Sequence, residues 1–67
     1  MNYIAIISNN CKSYIREDKK LTKLKKDINQ EFGKGWDVCI FECQSEFDEI
    51  QAAEGMGKIV AQYKKRA

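Results

Sequence analysis

Residues 36–43, Trp-Asp-Val-Cys-Ile-Phe-Glu-Cys, form an aromatic and β-branched run between two helical patterns. Gly33-Lys34-Gly35 precedes it and Gln44-Ser45 follows it. Eight residues are strand length rather than helix length. Alternation puts Trp36, Val38, Ile40 and Glu42 on one face and Asp37, Cys39, Phe41 and Cys43 on the other. Both faces are largely apolar, so the run predicts an interior strand covered on both sides.

Tyr3-Ile4-Ala5-Ile6-Ile7 is a second apolar run, ended by Ser8-Asn9-Asn10. It predicts an opening strand followed by a tight turn, because Asn tolerates positive φ better than most residues. Residues 11–16 alternate weakly and predict a hairpin partner for that strand, with an irregular loop as the other reading. From 19 to 32 the apolar positions are Leu21, Leu24, Ile28 and Phe32, a single stripe along a helix. Asp18 is placed as its N-cap or first-turn residue and Gly33 as its C′ glycine.

Ser45-Glu46-Phe47-Asp48 matches a loose capping box, with Asp where Glu is better. Phe47, Ile50 and Ala53 continue one helical face, and Met56, Ile59, Val60 and Tyr63 form a second stripe at spacings of three, one and three. Gly55 and Gly57 lie between, each costing a helix interior about 1 kcal/mol relative to Ala. The pattern predicts a helix with a weak point, ending in the basic tail Lys64-Lys65-Arg66. The whole reads as one α+β domain over 1–67: a small two-layer β-β-α-β-α or β-α-β-α arrangement, with two or three strands and two helices. The first and last strands would be joined by a right-handed crossover if they are parallel neighbours.

Size then adds a constraint. A chain of 67 residues buries only about 60% of its unfolded surface. There is no proline to stiffen loops. A companion molecule, a second copy included, is therefore expected. No run approaches the ~20 apolar residues of a membrane span, and no leader pattern is visible, so a cytoplasmic location and no membrane partner are expected.

Charge is balanced overall, with a net +2, but segregated. Residues 12–26 carry Lys12, Arg16, Lys19, Lys20, Lys23, Lys25 and Lys26 against Glu17 and Asp18. Residues 37–54 carry acids and no base. Such a body can self-associate or steer onto a charged partner.

Candidate chemistry is sparse. The chain has no histidine, which removes the commonest general base and metal ligand. Cys39 and Cys43 have C-x-x-x-C spacing, but four residues of strand span about 13 Å, too far for a disulfide or a shared zinc within one chain. They read as small buried hydrophobes, and Cys11 as the exposed thiol. Glu46, Asp48 and Glu49 sit where a helix start wants acids. Gly55-Met56-Gly57-Lys58 lacks the first glycine and the Ser/Thr of a phosphate loop. No catalytic residue, metal or cofactor is assigned.

The expected function is a small non-enzymatic protein-binding regulator or inhibitor that acts as a homo-oligomer, with Trp36, Phe47, Ile50, Met56 and Tyr63 as interface residues. Compact lysine-rich chains of this kind are frequent among phage and mobile-element regulators, which is association only. The alternative is a nucleic-acid-binding module using Lys19, Lys20, Lys23, Lys26, Lys64, Lys65 and Arg66. Lysine without arginine or aromatic partners would make that binding nonspecific and salt-dependent.

Overall fold

The computed structural model describes residues 1–65. Four strands and two helices follow the order β1 (Asn2–Ser8), β2 (Ser13–Asp18), α1 (Leu21–Glu31), β3 (Asp37–Cys43), α2 (Glu46–Ala53) and β4 (Lys58–Lys64). The α+β class is as read from the sequence, but the described residues form four strands where two or three were expected. They form one sheet in the order β2-β1-β3-β4, with every neighbouring pair antiparallel.

A hairpin partner for β1 does follow, but it runs over Ser13–Asp18 and not over 11–16. Cys11 and Lys12 belong to the turn, which also works differently from the expectation. No described non-glycine residue has positive φ. Instead the Asn9 carboxamide oxygen accepts from the amides of Cys11 and Lys12 at 2.9 and 2.8 Å, and the Asn9 amide donates to Lys12 O. The side chain thus supplies the turn's hydrogen bonds without left-handed backbone. Because β2 reverses the chain, β1 and β3 are antiparallel neighbours, and no parallel crossover joins them. It is β2 and β3 that run parallel, on either side of β1, connected through α1.

The predicted run 36–43 is a strand from Asp37 onward, Trp36 lying just before it, and β3 is interior and apolar on both faces. On one face Val38 and Ile40 pack with Ala5, Ile7 and the α1 stripe of Leu24, Ile28 and Phe32. On the other, Phe41 and Cys43 pack with Ile4 and Ala52 of α2. The sheet is therefore a middle layer between two helices, not one side of the expected two-layer fold. The two-sided apolarity of β3 requires this arrangement.

The helix ends differ from the sequence reading in instructive ways. Lys20, not Asp18, is the N-cap of α1 and gives no side-chain cap bond. Asp18 ends β2 and accepts from the Lys20 amide at 3.0 Å. Gly33 does not adopt positive φ; Phe32 is the C-cap, in extended backbone. For α2, Ser45 accepts from the Asp48 amide at 3.2 Å, as predicted, while the Asp48 carboxylate accepts from the Gln44 amide at 3.0 Å.

The largest correction concerns residues 54–64. The helix stops at Ala53, where Gly55 takes φ 84°. Its amide donates to Ala52 O and the Met56 amide to Gln51 O, the Schellman pattern with Gly at C′. Gly57 turns the chain again at φ 128°, close enough to Phe41 that an added Cβ would lie 3.6 Å from its ring. What was expected to be the second half of a helix is strand β4. Ala61 pairs with Ile40 and Ile59 with Phe41, so Val60 is an extra residue at a β-bulge. The bulge breaks two-residue alternation and leaves apolar positions that imitate a helical stripe.

Candidate functional site

The two faces of the sheet carry opposite charge. On the α1 side Lys19, Lys20, Lys23, Lys25 and Lys26 are exposed and, with Arg16 and Lys65, outnumber the carboxylates of that side, Asp18, Asp27, Glu31 and Glu42. On the α2 side lie the carboxylates of Glu17, Asp37, Glu46, Asp48, Glu49 and Glu54, with Lys64 as the lysine of that face. The placement follows from strand parity: Glu17 pairs with Ile4 and Asp37 with Ser8, on the face that α2 covers.

The outer surface of α2 is apolar as well as acidic. Phe47 is 66% exposed and Ile50 60%. They lie three residues apart, on one side of the helix. The inward contact is made by the small Ala52, fully buried, which lets the helix sit close to Ile4 and Phe41. Met56, just beyond the helix, is about half exposed. Phe47, Ile50 and Met56 thus all project from the segment that covers the acidic face.

The other two expected interface residues lie elsewhere. Tyr63, on edge strand β4, is moderately exposed. Trp36 is half-buried on the α1 side, in a cluster with Tyr14 and Phe32 whose ring centres are 5.1–5.7 Å apart. Arg16 lies 5.5 Å from the Tyr14 and Phe32 ring centres and holds Glu31 through two hydrogen bonds of 2.9 and 2.7 Å. Trp36 therefore closes the core at one end rather than offering a free surface.

The described residues of the expected phosphate-binding set do not form one patch. Lys65 reaches back to the C-terminal end of α1, donating to Phe32 O and, at 3.2 Å, to Asn29 O. A cation there satisfies helix carbonyls and the negative end of the dipole. Lys64 lies on the opposite face from α1, paired with Asp37. Lys23 is 3.6 Å from the Asp18 carboxylate. Arg66 lies outside the described residues.

Beside α2, a groove of about 530 Å³ lies open on the same face. Ile6, Cys39 and Phe41 line it, with Ser8, Asp37, Gln62, Lys64 and Gly55 among the residues around them. It is there because α2 is only eight residues long and cannot span the sheet. Sequence periodicity gave no sign of this groove, since it depends on strand order. Cys43 is buried, Cys39 half-buried and Cys11 exposed, all as free thiols. Among the described residues no group of three or more Cys, Asp or Glu side chains converges as a metal site would need, and no helix is long and apolar enough to cross a membrane.

Titration of these groups gives a testable stability profile. The Arg16 hydrogen bonds hold the Glu31 carboxyl below its ordinary value. The Lys20 amide, followed by the Lys23 charge, does the same for Asp18. A depressed carboxyl stabilises the fold above its ordinary pKa, and that contribution is lost as pH falls through the folded value. Burial pushes the Cys39 and Tyr63 groups up, and burial together with Glu49 and Asp48 raises Cys43. Their protonated forms are favoured in the fold, so this contribution is complete below the ordinary values of 9.0 and 10.0 and lost above them. Urea midpoints are expected to be level through neutral pH and to fall below the ordinary Asp and Glu values of 3.8 and 4.5 and again above 9.0. A midpoint that rises on acidification would contradict the assignment.

No family model, curated protein or solved structure matches this chain.

Proposed function

We propose that this chain is a small non-enzymatic binding module whose partner is another protein, engaged through the α2 face. The observation that carries the reading is the outward-facing pair Phe47 and Ile50 on an acidic helix. A helix docked on a sheet normally turns its large apolar residues inward; here a small alanine faces in and the large residues face water. Exposed apolar groups set among charge are what a partner surface needs.

Charge favours a different chain over a second copy as that partner. An α2-to-α2 contact across a two-fold axis brings like charges together, which costs binding energy. An α2-to-α1 contact between copies is head-to-tail and does not close unless a ring forms. The nucleic-acid reading retains the exposed lysines of α1 but has Lys65 engaged with the helix carbonyls and Lys64 on the other face.

The test compares the chain with its Phe47→Ser/Ile50→Ser variant as immobilised baits in nuclease-treated lysate of the source cell. A protein retained by the first and reduced at least about tenfold by the second, the loss expected of anchor residues, supports the reading. Equal capture by both baits would refute it. So would DNA or RNA binding whose affinity falls steeply with salt and survives the double substitution.

A further inference from the structure

We propose that the uncovered half of the α2 face, the groove over Ile6 and Cys39 with Ile15 beside it, is the docking site for a cationic amphipathic segment of a partner protein. The inference rests on the protein-binding reading above and adds the place and the chemistry of the partner.

Register supplies the geometry. Ile15, Ile6, Cys39 and Gln62 are paired in one row across all four strands. Strand parity puts them on the face that α2 covers, but the helix packs over the neighbouring row, where Ile4 and Phe41 pair. In the uncovered row Ile15 is 48% exposed and Ile6 and Cys39 are half-buried. On the opposite face the corresponding positions Ala5, Ile7, Val38 and Ile40 are all buried beneath α1. The α2 face thus lacks cover over an apolar strip one row of side chains wide.

Electrostatics selects the occupant. The groove's own charged lining is balanced, Asp37 beside Lys64, and the excess negative charge lies around it, on Glu17 two residues from Ile15 and on the acids of the α2 segment. That face carries Glu17, Asp37, Glu46, Asp48, Glu49 and Glu54 against Lys64. An acidic or neutral segment gains nothing from this field, and a second α2 is repelled by it. A segment with apolar residues on one side and Lys or Arg on the other meets the isoleucines and the carboxylates together. The groove-binding helix is the common form of such a segment.

The experiment uses the full chain carrying Cys11→Ser, so that alkylation by iodoacetamide reports Cys39 while Cys43 stays buried. The probes are three synthetic peptides of about 18 residues, long enough to form a helix when bound. One is amphipathic Lys/Leu, one is Glu/Leu of the same pattern, and one is Lys/Ser of the same charge. The Lys/Leu peptide is expected to bind saturably and to slow Cys39 alkylation at least about fivefold. The other two should bind at least about tenfold more weakly, and Ile15→Ser should weaken the Lys/Leu peptide by about fivefold, the order expected for one apolar contact. Equal binding of the Lys/Ser peptide would overturn the proposal, because charge alone would then suffice. Lys/Leu binding that leaves Cys39 unprotected but is lost in Phe47→Ser/Ile50→Ser would overturn the groove and leave the protein-binding reading standing. Concentration-dependent dimerisation in sedimentation that itself protects Cys39 would assign the groove to a second copy and also overturn it.

Discussion

Phe41→Ala is expected to remove about half or more of the chain's folding stability at 25 °C. Phe41 heads the largest fully buried side chains and sits mid-strand in β3, opposite Ile4 on one side and Ile59 on the other. With Ile4, Cys43 and Ala52 it makes the small core under α2, so its loss leaves little there to collapse inward. Truncating a buried Phe costs about 3–5 kcal/mol. A domain of 67 residues has roughly 3–10 kcal/mol in total. The matched control is Phe47→Ala, the same change at an exposed position, expected to stay within about 0.5 kcal/mol. Urea unfolding followed by circular dichroism measures both. If the two variants shift the midpoint equally, the assignment of Phe41 to the core and Phe47 to the surface is wrong.

The second large effect is expected from Gly55→Ala/Gly57→Ala. These two glycines end α2 and aim the chain into β4. Both have positive φ, where a side chain costs about 1–3 kcal/mol each. The same substitutions raise the helix propensity of residues 54–58 by about 1 kcal/mol per site. The strain and the propensity act in one direction, so together they shift the balance by about 4 kcal/mol or more toward helix. Loss of β4 would expose Val38 and Ile40 along the free edge of β3. Far-UV circular dichroism should show increased helix, and amides of β3 and β4 should lose hydrogen-exchange protection. An unchanged spectrum with an unchanged urea midpoint would show that strand pairing, not the glycines, decides this segment.

Both predictions bear on what the amino-acid order fixes by local means. Residues 36–43 announce an interior strand because both of their faces are apolar, and Leu24, Ile28 and Phe32 announce a helix face because their spacing matches its turn. The Ser45 cap is legible because it acts over three residues. Gly55 is legible too: a glycine at C′ followed by an apolar Met56 is a helix stop in its own right, but the apolar stripe beyond it imitates a continuing helix.

The sequence by itself therefore determined the α1 stripe, the two-sided β3, the α2 start and the separation of basic from acidic segments, all of which act between residues close along the chain. Tertiary structure decided the rest. The bulge at Val60 has meaning only against Ile40 and Phe41, and Lys65 caps a helix that ends 34 residues earlier. The opposite charge of the two faces and the uncovered row over Ile6 and Cys39 arise only once strand order sets α1 and α2 on different sides. These features are made by groups distant in the chain, and pairing across a sheet leaves no periodic mark on the strands it joins.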